Sequence, residues 1–247
     1  MDDVANATDY VVLDGVHKSF LRKYGAPTIR AHVHGKQRGK VDQALSDVTL
    51  TVRSGESVAV LGRKRSGKST LISMVNGLYR PDQGSVMVRG RVGGPVALGV
   101  GFAPSLSARD NIRLNAQVQG MTPAEVTQRW DSIVAFSGMK TAELGYPLRE
   151  LDGKSKQRLA YSVMLHVQPD VLLADGRVVV ADGEFREASL VRLERLRDAG
   201  HAMLLATNAK PVVRRLCTRA VVLDGGTLVF DGEIREALRV LRRLRRD

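Results

Sequence analysis

Residues Gly62-Arg63-Lys64-Arg65-Ser66-Gly67-Lys68-Ser69 fit the pattern G-x-x-x-x-G-K-[ST], which few backbones can accommodate. The run before it, Ser57-Val58-Ala59-Val60-Leu61, has the composition of a buried strand. After it, Leu71, Ile72, Met74, Val75 and Leu78 suit one face of a helix that ends before the turn Arg80-Pro81-Asp82-Gln83-Gly84. Strand, glycine-flanked loop and helix together predict a phosphate cradle. Glycines let the backbone curl so that successive N–H groups point at phosphate oxygens, and the helix N-terminus adds its positive end. In such a cradle Lys68 reaches the β- and γ-phosphates and the Ser69 hydroxyl binds Mg²⁺. Residues 62–69 with Thr70 are the candidate nucleotide-binding set, and ATP with Mg²⁺ the candidate cofactor pair.

The rest of the chain surrounds this corner with α/β alternation. Tyr10-Val11-Val12-Leu13 reads as a short strand, and Ser46–Arg53 alternates Val48, Leu50 and Val52 against polar neighbours. Between them, Arg22–Lys40 lacks periodicity and reads as an exposed loop. Asn111–Gln119, Pro123–Ser137 and Gln157–Val167 carry apolar residues on one face, and Thr122-Pro123 opens the second of these as N-cap and first helical position. Then come a strand at 170–174, a helix at 184–198, a strand at 202–206, a helix at 210–217 and a strand at 219–223. A hairpin follows about Asp224-Gly225-Gly226.

Charge leaves several partners open. The 247 residues carry 38 Lys+Arg against 26 Asp+Glu, a net +12. That excess fits nucleic acid, an anionic membrane surface, a phosphate-rich ligand, or simply a solvated basic surface. Part of it is local: Arg235, Arg239, Arg242, Arg243, Arg245 and Arg246 crowd the end of the chain. Ile234, Leu238, Leu241 and Leu244 recur there at helical spacing, predicting an amphipathic helix over about 234–246 that caps the domain or lies near a membrane. The apolar runs are far shorter than a bilayer span. The acidic start Met1-Asp2-Asp3 lacks the apolar core of a signal peptide, and the single Cys217 fits a reducing compartment.

The order of the segments resembles the ATP-binding subunits of ABC transporters over nearly the whole chain, and most of all the branch that exports polysaccharides. Gly101-Phe102-Ala103-Pro104-Ser105-Leu106-Ser107-Ala108-Arg109-Asp110-Asn111-Ile112 is similar to that branch's GF-x-P-x-L-[ST]-G-R-E-N-[IV], with Ala108 for Gly and Asp110 for Glu. Pro169–Asp175 resembles a Walker B strand, Val180-Ala181-Asp182-Gly183-Glu184-Phe185 the VGD-x-x-F segment, and Arg214–Leu223 the RLCDRAIWL strand approach. The resemblance implies an α/β P-loop NTPase of ABC type: a mixed sheet core, an antiparallel β subdomain, and a helical subdomain at about 104–168, in one domain over 1–247. It also implies roles. Asp175 holds Mg²⁺ through water. Asp182 is the D-loop aspartate or, read plainly, a helix N-cap. Phe20 stacks on adenine, with Tyr24 a second candidate and a core aromatic the plainer reading.

Several positions depart from the family pattern. The glutamate expected after the Walker B aspartate is replaced by Gly176, which has no group to orient water. The switch histidine aligns with Asn208, whose amide can hydrogen-bond a phosphate but cannot become cationic. The LSGGQ signature aligns with Leu151-Asp152-Gly153-Lys154-Ser155, so Asp152 brings a carboxylate toward an anion unless Lys154 or Lys156 offsets it. Ala97 stands where a Q-loop Gln or Glu is expected, and Arg65 replaces the loop's second glycine. Loss of a general base or positioning group costs about 10²–10⁴-fold in rate. These residues predict a subunit that binds Mg-ATP with weak or absent hydrolysis.

Three functional readings stand at this point. The first is a polysaccharide exporter's ATP-binding subunit, peripheral on the cytoplasmic face and docked to a membrane-spanning permease. The second is a catalytically inactive regulatory or scaffolding subunit, as homodimer or as heterodimer with an active paralogue. The third, a nucleic-acid-associated ABC protein, is disfavoured because such chains carry two phosphate loops, so no nucleic acid is expected. No appended carbohydrate-binding domain is expected either.

Overall fold

The computed structural model describes residues 9–22, 40–94, 102–176 and 183–245. Strands β1 (Asp9–Arg22) and β2 (Lys40–Arg53) pair antiparallel, aligning Val11 with Val52, Leu13 with Leu50 and Val16 with Val48. All six of these side chains are buried. Both strands are much longer than the sequence pattern suggested, because register shifts between Leu13 and Ser19 break the two-residue alternation without ending the ladder. The strand ends, where Ser19 faces Gln43 and Phe20 faces Asp42, lie beyond those shifts.

Strand β3 (Ser57–Gly62) is buried along its length and delivers the phosphate loop to α1 (Lys68–Val75). That helix stops short of Leu78, which is exposed rather than on its apolar face. Gly77, at φ 77, supplies the left-handed residue that terminates it. The expected turn follows, but it merges into a strand, β4 (Gln83–Val88), which pairs with β1 and completes a three-stranded antiparallel sheet. Asp82 fixes that junction, accepting from Lys18 Nζ at 2.7 Å and from Ser19 N and Oγ at 2.7 and 2.8 Å. The Lys18 bond, then those of Ser19, hold the Asp82 carboxyl down at about 2. A two-residue strand, β5 (Val92–Gly93), follows.

Helices α2 (Ala108–Val118), α3 (Pro123–Ser137) and α4 (Gly153–Val167) bury Ile112, Ile133, Leu159 and Val163 in a cluster of their own. Caps set their starts. Ser107 accepts from Asp110 N, and Thr122 and Glu125 form a reciprocal capping box. Asp152 caps α4, so that helix begins four residues before the expected Gln157.

Strand β6 (Val171–Asp175), helix α5 (Gly183–Asp198), strand β7 (Ala202–Ala206), helix α6 (Lys210–Leu216), strands β8 (Arg219–Asp224) and β9 (Thr227–Gly232), and helix α7 (Ile234–Leu244) complete the chain. The six-stranded sheet runs β5-β6-β7-β3-β8-β9, parallel except for the β8–β9 hairpin. One face packs α4 to α7 through Leu61, Leu165, Leu193, Leu205, Leu216 and Leu241; the other packs α1 and the antiparallel sheet through Val60, Leu71, Leu173 and Leu45. The mixed core sheet and the antiparallel sheet are those the resemblance implied. Helix α7 lays Ala237, Leu238 and Leu241 onto the first face, so the arginine-rich segment caps the sheet. The expected loop at 22–40, apart from its end residues, and Tyr24, Ala97, Asp182 and Arg246 lie outside the described residues.

Candidate nucleotide-binding site

Because β3 lies between β7 and β8, its C-terminal end places the loop at the middle of the parallel sheet. That edge is where α/β sheets gather ligand-binding groups. Gly62 (φ 156) lies so close to β8 that a Cβ there would come 2.3 Å from Leu223 O and 2.3 Å from Ser66 Oγ. Gly67 (φ 102) is equally confined: a Cβ would meet Ala44 O at 2.5 Å. Both glycines of the motif are therefore required by close approach. Arg65, in the second glycine's usual place, adopts the left-handed φ of 66 that glycine tolerates without strain.

The loop closes around its own lysine. Lys68 Nζ donates to Gly62 O at 2.9 Å, Arg63 O at 2.6 Å and Ser66 Oγ at 3.1 Å. All three ammonium protons thus have acceptors in the cradle, where phosphate oxygens could replace them. Burial pushes the Lys68 amine below its ordinary value, the Asp175 carboxylate opposes that shift, and Arg245 adds to it. Asp175 at the tip of β6 is consequently within electrostatic reach of Lys68, and Ser69 and Asp175 offer the oxygen donors that a divalent cation takes.

Two of the departures sit at the same edge. Gly176 follows Asp175, exposed, at φ 77, with its N–H donating to Ala206 O of β7 at 2.8 Å. Asn208 lies two residues beyond β7 and is bonded to the loop: its Nδ2 donates to Gly62 O at 2.9 Å, and its Oδ1 accepts from Gly62 N at 3.3 Å. The amide fits the role because it offers a donor and an acceptor to one backbone residue.

Phe20 and the loop share a cavity of about 810 Å³, lined also by Leu21, Val41 and residues 65–70. Its ring meets Tyr79 edge to face at 5.1 Å between centroids. The aligned signature residues begin α4. The Asp152 carboxylate accepts from Ser155 N at 2.9 Å and from Ser155 Oγ at 3.0 Å. Those bonds, the backbone one first, lower the Asp152 pKa, and Lys154 contributes a smaller part. The Ser155 hydroxyl is thus engaged by a neighbouring carboxylate. Lys156 Nζ donates to Arg149 O at 3.1 Å, and Lys154 is exposed.

Two features were missed in the sequence. Arg63, named there only as a motif residue, forms a two-pronged pair with Asp224 at 3.1 and 3.3 Å, tying the loop to the end of β8. Arg245, read as part of the amphipathic terminal helix, acts electrostatically on Lys68, and α7 packs on β3, β8 and β9. The Asp-Gly-Gly turn was visible in the sequence; its contact with Arg63, 161 positions away, was not.

The ABC transporter family model matches residues 45–177. The ABC transporter protein AbcA of Aeromonas salmonicida is 36% identical over 225 residues, covering 90% of this chain and 72% of that protein. The O-antigen export system ATP-binding protein RfbB of Myxococcus xanthus is 35% identical over 236 residues, covering 88% of this chain and 52% of its own length. The chain thus spans about half of that relative. Among solved structures, an ATP-binding subunit of an ABC transporter superposes with a TM-score of 0.74, covering 94% of each chain at 21% identity, which speaks to the fold. With its phosphate loop, its mixed sheet and these relatives, the chain belongs to the ABC transporter family, as one of its ATP-binding domains.

Proposed function

We propose that this chain is the ATP-binding subunit of an ABC exporter for a cell-surface polysaccharide, with weak or absent hydrolysis of its own. The export reading rests on the O-antigen export relative and on the polysaccharide-branch segments. The hydrolytic reading rests on one observation: beside Asp175 stands Gly176, with no side chain, while Asn208 is bonded to Gly62. In this account Lys68 and the loop amides bind the nucleotide phosphates, Ser69 and Asp175 hold Mg²⁺, and Phe20 meets the adenine. Mg-ATP supplies a phosphoanhydride whose charge the loop neutralises. No side chain at 176 orients an attacking water, and Asn208, already bonded to the loop, cannot carry a positive charge to the γ-phosphate. Asp182 belongs to the contact with a second ATP-binding subunit, and residues 151–155 face that subunit's nucleotide.

The same observation favours a heterodimeric variant of the reading, in which a paralogue retaining the missing groups hydrolyses ATP at one composite site. The subunit then sits peripherally on the cytoplasmic side, against a membrane-spanning permease. Among the described residues no helix is long and apolar enough to cross a membrane.

The test is a Mg-ATP titration beside steady-state turnover for the wild type, Lys68→Ala, and Gly176→Glu with Asn208→His. The expected pattern is ATP binding by the wild type, at least tenfold weaker binding by Lys68→Ala, and turnover gained only in the double variant. That gain will be partial, since a Cβ at position 176 meets no atom within 4 Å but the φ of 77 strains any L side chain by about 1–2 kcal/mol. Fast turnover by the wild type would overturn the hydrolytic reading and leave the binding reading standing.

A further inference from the structure

Four arginines converge on a groove between α6 and α7. Arg214 comes from α6 and Arg235, Arg239 and Arg242 from α7; with Ile234 and Leu238 they line a cavity of about 630 Å³. The α7 spacing of four and then three residues puts its three guanidiniums on one helical face. The groove shares no lining residue with the cavity at the phosphate loop.

Two arginines close to the groove in sequence are matched by carboxylates. Arg215, the neighbour of Arg214, donates to both oxygens of Glu187 at 2.7 Å and to Glu194 at 2.7 and 3.2 Å. Arg219 is bridged by Glu56 at 2.9 Å and by Asp231 at 3.2 Å. The groove differs. Its one salt bridge among the described residues joins Arg239 to Glu236 at 3.7 Å, with both side chains more than half exposed. Arg214, Arg235 and Arg242 have no carboxylate within salt-bridge reach among the described residues. The four guanidiniums are exposed, and the burial of Ala237, Leu238 and Leu241 fixes the helix that carries three of them side by side.

The guanidinium fork fits phosphate oxygens two at a time, and several forks in one concavity suit a group with more than one negative charge. A lone carboxylate would leave most of this charge unmatched. Nor is α7 free to enter a bilayer by its apolar face, which the sheet already covers. We propose that this groove is a second anion site, separate from the phosphate loop, for a ligand carrying a phosphate or diphosphate group, with Ile234 and Leu238 as its apolar floor. The phosphate comes from a soluble metabolite or from a lipid headgroup.

Inorganic pyrophosphate is the probe. It is titrated calorimetrically into the full chain, into Lys68→Ala, into Arg235→Gln/Arg242→Gln, and into Arg235→Lys/Arg242→Lys. The wild type should show two sites. Lys68→Ala should keep the groove site, the glutamine pair should weaken it at least tenfold while leaving Mg-ATP affinity intact, and the lysine pair should fall between. Rising salt should weaken it further. Flotation with phosphatidylglycerol vesicles, against phosphatidylcholine alone, separates the sources. Binding lost in the glutamine pair and displaced by pyrophosphate assigns a lipid headgroup; no vesicle binding assigns a soluble phosphate. A single pyrophosphate site, abolished by Lys68→Ala and untouched by the glutamine pair, would overturn the proposal. So would binding of polyglutamate at the groove with none of pyrophosphate.

Discussion

Lys68 stands between a carboxylate that favours its charge and two influences that oppose it. Burial lowers its pKa most, Arg245 lowers it further, and Asp175 raises it. The sign of each effect gives an experiment. Arg245→Gln should raise the Lys68 pKa, and Asp175→Asn should lower it, as read from the pH titration of the lysine side-chain resonances. If Arg245→Gln leaves that titration unmoved, α7 does not reach the loop in solution. The two loop glycines and Lys68 were legible from spacing, and the contrast of Gly176 and Asn208 with their family positions from the resemblance. The pairing of Asn208 with Gly62 was not, because it joins residues 146 positions apart through the parallel register of β3 with β7. Nor was the pairing of Arg63 with Asp224 legible, since 161 positions separate them.

At the scale of elements, caps matter more than the apolar pattern. The apolar residues of α4 alone put its start near Gln157, yet the Asp152 carboxylate, bonded to Ser155 N, starts it at Gly153. Asp152→Ala should lower the urea unfolding midpoint, with Asp152→Ser close to wild type. Equal losses in both variants would show that the carboxylate does something other than cap. The other end of α4 carries a pH dependence. His166 bonds through Nδ1 to Ser162 O at 2.6 Å and through Nε2 to Ser132 at 2.8 Å; burial, and then Arg192 and Arg129, keep its pKa below the ordinary value. The unfolded chain therefore takes up the proton first. Stability should fall as pH drops through the ordinary histidine range and level off below the lowered folded value. His166→Gln should flatten that decline in chemical unfolding curves taken between neutral and mildly acid pH. The β1–β2 ribbon shows the opposite limit of sequence reading: register shifts hide the alternation by which a long strand is recognised, so only its most regular ends were visible.

Across the whole molecule, sheet order turns distant segments into one edge. β3 sits between β7 and β8, with β6 beyond β7, so the loop, Asp175, Gly176 and Asn208 meet although they are scattered along the sequence. The alternation of strands and helices made the α/β class readable. The short β5 and the pairing of β4 with β1 were not readable, because two-residue strands and half-exposed edges carry too little pattern. On the proposed reading the same architecture keeps binding and hydrolysis apart. The cradle is complete in β3, the loop and α1, whereas the groups that would act on a water belong at the ends of β6 and β7, where Gly176 and Asn208 stand. Single-turnover hydrolysis, with the purified protein in excess over γ-labelled Mg-ATP, separates those two halves most directly. The prediction is labelled ATP bound by the wild type and recovered intact, with labelled phosphate released only after Gly176→Glu and Asn208→His. Release of phosphate by the unaltered protein on the time scale of its binding would contradict the account.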